Sequence, residues 1–151
     1  MPEAKPVVSL SLLDRLLDEE GSVVSRIREG MLRDLEDLLN THPRVAGWSE
    51  HLRELDRSLL NFGIPDLSAV NLSTERHRSD MVREIGDIIR TWEPRLAKMD
   101  IFAVPNTDSS DRTLRIRIEA EIVISLSPEP VIFDTVIDPL SNRVSLKSAN
   151  R

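Results

Sequence analysis

The apolar positions of this chain change period once, close to residue 93. Upstream they recur every three to four residues. Val24, Ile27, Met31, Leu35, Leu38 and Leu39 form one stripe, which predicts an amphipathic helix from an N-cap at Ser22 to Asn40. Gly30 inside it costs about 1 kcal/mol against Ala and so points to close packing or a kink. Met81, Val82, Ile85, Ile88, Ile89 and Trp92 form a second stripe behind a cap at Ser73 or Thr74. Gly86 beside that stripe suggests room for another backbone. Downstream the period is two. Met99–Val104 is a short predicted strand, and in the next one Leu114, Ile116, Ile118, Ala120, Ile122 and Ile124 alternate with Arg115, Arg117, Glu119 and Glu121. Val131, Phe133, Thr135 and Ile137 set the phase of a third strand, and Val144–Leu146 is a fourth.

The breakers divide these elements. Residues 1–10 carry two prolines and no period, which predicts a loose lead-in, and 11–17 reads as one or two helical turns or a docked arm. A weaker helical piece is expected over 49–60. The turn cluster 61–68 holds Phe62, Ile64 and Leu67 between its breakers, so it is expected to be pinned to the core. Residues 105–111 and 138–143 are polar connections, and Ser127-Pro128-Glu129-Pro130 reads as a turn. Short connections make sequential strands antiparallel. The expected fold is therefore α+β, with N-terminal helices followed by an antiparallel β-meander of about four strands and the helices on one face, over a single domain spanning 1–151.

The formal charge of −6 argues against a surface built for phosphate, so no nucleic acid partner is expected. The absence of cysteine removes disulfides, thiolate metal sites and a thiol nucleophile, and it fits a reducing cytoplasm. The first residues lack a basic-then-apolar leader layout, and no apolar run approaches the ~20 residues that span a bilayer. These features predict a soluble cytoplasmic domain without direct membrane insertion.

Catalytic signals are poor. His42, His51 and His77 do not fall at metal-ligand spacing, Gly47-Trp48-Ser49-Glu50-His51 lacks the second glycine and preceding strand of a nucleophile elbow, and no glycine-rich phosphate loop is present. No catalytic residue, metal or cofactor is expected. The stretch Trp92-Glu93-Pro94-Arg95 draws attention instead. Pro94 should end the helix near Glu93, leaving a carboxylate at the unfavourable pole of the helix dipole, a cost of roughly 0.3–1 kcal/mol. Arg90 and Arg95 stand close enough to compensate. Those cations stabilise a charged carboxylate, the opposite of what a glycosidase general acid requires. Two readings stay open: a pair that ties the helix end to the sheet, or an exposed pair worth about 0–1 kcal/mol whose guanidinium is preorganised for a partner's carboxylate or carbonyls. The strand carrying Arg115, Arg117, Glu119 and Glu121 likewise presents either a solvated face or a two-sign docking stripe.

Several stretches together resemble the TssE family, the baseplate wedge subunits of type VI secretion systems, within the phage baseplate wedge proteins historically labelled lysozyme-like. They are Ser11–Leu16, Leu32–Glu36 with Leu38–Thr41, Ser58–Leu67, Glu93-Pro94-Arg95 with its preceding aromatic, Leu114–Ile122 and Val131–Thr135. Asp37 and His42 depart from the family pattern, where an aromatic and an arginine are common. The resemblance implies a structural, non-enzymatic role in the cytoplasm, joining the wedge and helping to template the contractile sheath. It implies contacts through Trp92, Glu93, Pro94 and Arg95 to other wedge subunits (TssF, TssG, TssK). It also implies strand pairing with the sheath proteins TssB and TssC. A peptidoglycan-cleaving glycosidase and an unrelated adaptor domain are the alternatives.

Overall fold

The computed structural model describes residues 7–17, 20–45, 47–108, 111–124 and 127–149. The elements are α1 (Leu12–Leu16), α2 (Val23–Leu39), α3 (Glu75–Trp92), β1 (Ala97–Val104), β2 (Leu114–Ile124), β3 (Ser127–Asp138) and β4 (Arg143–Ser148). The strands form one antiparallel sheet in the order β1-β2-β3-β4, so the α+β meander expected from the change of period is what the chain adopts.

The helix starts follow from their caps. The Ser22 hydroxyl accepts from the Ser25 N–H at 3.1 Å, and Thr74, not Ser73, accepts from His77 at 3.3 Å. The α2 and α3 stripes then close over the inner face of β2 and β3, where Ile116, Ile118, Ile122, Phe133 and Ile137 are fully buried with Met31, Leu35, Ile85 and Ile89. Each such side chain contributes about 1.5–3 kcal/mol by leaving water. Phe62, Ile64 and Leu67 pin the 61–68 loop to this core as expected, Ile64 and Leu67 fully buried. Gly63 makes the crossing over the end of α2 feasible. At φ +118° a Cβ there would stand 2.1 Å from the Thr41 carbonyl oxygen, which accepts from Ile64 N–H.

Short α1 is a docked turn. Ser11 and Asp14 form a reciprocal capping box, and Asp14 is buried against α2, where Arg33 Nη2 donates to its Oδ1 at 2.6 Å. Gly30 explains itself here: a Cβ at that position would lie 2.5 Å from Asp14 Oδ1. Of the lead-in, residues 1–6 lie outside the described residues. Val8 is buried and donates its N–H to the Val123 carbonyl.

Four expectations are corrected. Residues 49–60 do not form an α-helix but 3-10 turns at Arg53–Arg57 and Leu59–Asn61, with Leu52, Leu59 and Leu60 exposed. Local bonds compete with helical ones: Ser58 Oγ donates to Leu55 O, Asn61 Nδ2 to Asp56 O, and Trp48 Nε1 to Asp56 Oδ1. Ser127–Pro130 belongs to β3, paired with Glu121–Ile124. The prolines are tolerated because this half of β3 extends beyond β4, whose pairing begins at Phe133. Their backbone faces the open side, where Arg28 Nη2 donates to Pro130 O at 3.2 Å. Gly86 admits not a backbone but the Ile101 side chain, whose Cγ2 would lie 3.0 Å from an added Cβ. Finally, β1 starts at Ala97, two residues before the expected Met99, because a bulge between Ala97 and Asp100, with Lys98 at φ 47°, adds a residue to the strand.

The outer edge of β4 is occupied at Val144. The Asn40 amide, at the end of α2, donates to Val144 O at 3.0 Å and accepts from Val144 N at 2.9 Å, imitating one residue of a further strand.

Candidate functional site

Helix α3 ends where Pro94 requires. Glu93 is its C-cap, donating its N–H to Ile89 O at 2.7 Å, and Leu96 N–H returns to Glu93 O at 3.2 Å to close the turn into β1. The side chain of Glu93 is buried, which favours the first of the two readings left open, a pair that ties the helix end down, over an exposed pair. Arg95 holds it: Nε donates to Glu93 Oε1 at 2.5 Å, Nη2 bonds Oε2, and the Arg95 N–H also reaches Oε1 at 3.3 Å. The same Nη2 donates to Asp34 Oδ2 on α2 at 2.6 Å. The hydrogen bonds that Arg95 donates to Glu93 lead the causes that stabilise the charged guanidinium, burial opposes them, and Asp34 adds to them.

One cation therefore ties the middle of α2 to the end of α3 and the start of β1. Asp34 was not foreseen, because it stands sixty-one residues away on the polar side of a helix and nothing local marks it. Arg90, the other expected compensator, turns instead to Asp87 at 2.9 Å and to the Met99 carbonyl. The dipole cost at Glu93 is thus met by Arg95. Breaking a buried pair of this kind leaves an uncompensated charge and costs about 3–5 kcal/mol, well above the value of an exposed pair.

A cavity of about 290 Å³ opens beside this network. Its charged lining is Asp34, Asp37, Glu93 and Arg95, and its apolar wall comes from Leu35, Leu38, Phe62 and Trp92. Trp92 is half-buried and meets Phe62 edge-on, with ring centroids 5.2 Å apart and planes at 80°. Among the described residues no cluster of His, Asp or Glu could hold a metal ion.

Arg115, Arg117, Glu119 and Glu121 lie on the sheet face opposite the helices, so the structure does not join them to the Glu93–Arg95 network. The stripe is knit to its neighbours. Arg117 grips Asp134 of β3 through Nε and Nη2 at 2.7 and 3.2 Å, Arg115 meets Asp111 at 3.3 Å, and Lys98 meets Glu121 at 2.9 Å. Glu119 stands directly across from Asp100 of β1, two like charges on one exposed face. Phe102, opposite Arg117, is half-exposed on the same face.

No helix among the described residues is long and apolar enough to cross a membrane. No curated protein matches the chain. A family model described as baseplate wedge protein gp25 matches residues 25–125, about two-thirds of the chain, from α2 through β2 and including the whole Arg95 network. On that match, the chain belongs to the gp25 baseplate wedge protein family.

Proposed function

We propose that this chain is the wedge subunit of a type VI secretion baseplate, a non-catalytic assembly component that works in the cytoplasm and helps initiate the contractile sheath. The observation that carries a structural rather than enzymatic reading is the binding of Glu93. Both of its carboxylate oxygens accept from Arg95, so neither is free to approach a glycosidic oxygen. The segment Trp92-Glu93-Pro94-Arg95, three of whose side chains line the cavity, is the contact to other wedge subunits, in type VI terms TssF, TssG and TssK. The stripe of Arg115, Arg117, Glu119 and Glu121 supports a second docking face: the Asp100–Glu119 like-charge pair, which has Arg117 beside it on the same face, is a cost that a further incoming cation would reduce. The β1 edge would serve the sheath proteins TssB and TssC by backbone pairing.

The test is sheath assembly in the source cells with a fluorescent sheath subunit. Deleting this gene should abolish extended sheaths, and restoring it should return them. Normal sheaths in the deletion strain would refute the reading, and sheath and baseplate genes beside this one would support it.

A further inference from the structure

The Arg95 guanidinium is already committed on two of its edges, to Glu93 and to Asp34. The charge left over in the adjoining cavity is therefore negative. Asp34, Asp37 and Glu93 bring three formal negative charges against the one positive charge of Arg95. Asp37 follows Asp34 by one helical turn, is exposed, and makes no side-chain bond among the described residues. The opposite wall is the Phe62–Trp92 aromatic pair. A carboxylate arriving here would meet net repulsion, so the partner group expected from the sequence has the wrong sign.

We propose that this cavity receives an arginine side chain from a neighbouring assembly subunit, its guanidinium bonded to Asp37 and the outer oxygen of Asp34 and its plane laid against Trp92. The proposal rests on the assembly role above and specifies the chemistry of that contact. Charge complementarity selects a cation. A planar fork that pairs with carboxylates while stacking on an aromatic face selects arginine over lysine, and the aliphatic stem of the side chain suits the Leu38 and Phe62 wall.

The contact can be read without any baseplate. The full chain, labelled with nitrogen-15, is titrated at low salt with three capped tripeptides, Ala-Arg-Ala, Ala-Glu-Ala and Ala-Leu-Ala. Only the arginine peptide should give saturable shifts of the Trp92 indole and of the Phe62 and Asp37 amides. D37N should weaken that binding about threefold while melting at the wild-type temperature, because Asp37 is exposed on the last turn of α2. No saturable response to the arginine peptide would overturn the proposal. So would unchanged affinity in D37N, or equal binding of the glutamate peptide. Sheath loss on gene deletion holds whether or not the peptide binds, so failure of this contact and failure of the assembly role give different results.

Discussion

Arg95 and Asp34 meet at 2.6 Å across the gap between the end of α3 and the middle of α2, and the guanidinium that bridges them also neutralises buried Glu93. Arg95→Ala should therefore lower stability by roughly 3 kcal/mol, a fall in Tm on the order of 10 °C for a domain of this size. Arg95→Lys should recover part of it, since a point charge cannot serve Glu93 and Asp34 in the same forked geometry. Thermal melting of the three proteins decides. Wild-type melting of Arg95→Ala would mean that Glu93 finds water when its partner is removed.

Gly30→Ala runs against helix propensity. Alanine should favour an α-helix interior by about 1 kcal/mol, yet its methyl would press into the Asp14 carboxylate, which Ser11 and Arg33 hold in place. The expected result is net destabilisation in the wild-type background and stabilisation in an Asp14→Ala background. Urea midpoints for the four proteins of this cycle test it.

Asp14 also gives a pH signature. Burial works against its charge, but the hydroxyl and N–H of Ser11 and then the Arg33 and Arg95 cations outweigh it and hold the carboxyl below its ordinary value. Its contribution is complete above the unfolded value near ~3.9 and is lost as pH falls through the lower folded value. Asp14→Asn should accordingly lie below wild type in stability at neutral pH, with the gap closing below about pH 4. A gap that stays constant down to pH 2 would contradict this.

On β2, Ile118 and Arg117 are adjacent and face opposite ways. Ile118→Asp would place an unpaired charge at a fully buried position between Ile101 and Phe133 and should unfold the domain. Arg117→Ala removes an exposed pair with Asp134 and should leave the domain folded with little change in melting temperature. Circular dichroism and melting separate the two.

Purified protein should not cleave peptidoglycan. Muramidase activity that disappears in Glu93→Gln would overturn the structural assignment of that carboxylate, whose oxygens both belong to Arg95 here.

What could be read from the chain alone was whatever depends on period and local stops. The α2 and α3 stripes, the phase of β2 at Ile118, and the helix end at Pro94 are all local consequences of side-chain chemistry. The leucines of 52–60 misled because their spacing suits a helix while nothing covers it, and side-chain bonds from Ser58 and Asn61 turn the backbone first. Pro128 and Pro130 look like a turn until the neighbouring strand is known to stop short of them. The Arg95–Asp34 tie joins residues from separate helices, and no periodicity encodes which carboxylate a guanidinium will find. That tie occupies the guanidinium a partner's carboxylate would have needed.

The sheet's flanks give it a direction. On the β4 side, Asn40 takes both backbone groups of Val144, and beyond β4 the prolines of β3 leave no N–H to offer at 128 and 130, while Arg28 takes the Pro130 carbonyl. Among the described residues, Asp100–Val104 of β1 carries no such stopper. A visiting strand would meet obstacles at Val144 and along 128–130 on one flank and, among the described residues, none along Asp100–Val104 on the other. If subunits of a ring dock by extending this sheet, the unobstructed flank is β1, and the assembly acquires a handedness from four residues, Asn40, Arg28, Pro128 and Pro130, that never touch the visitor.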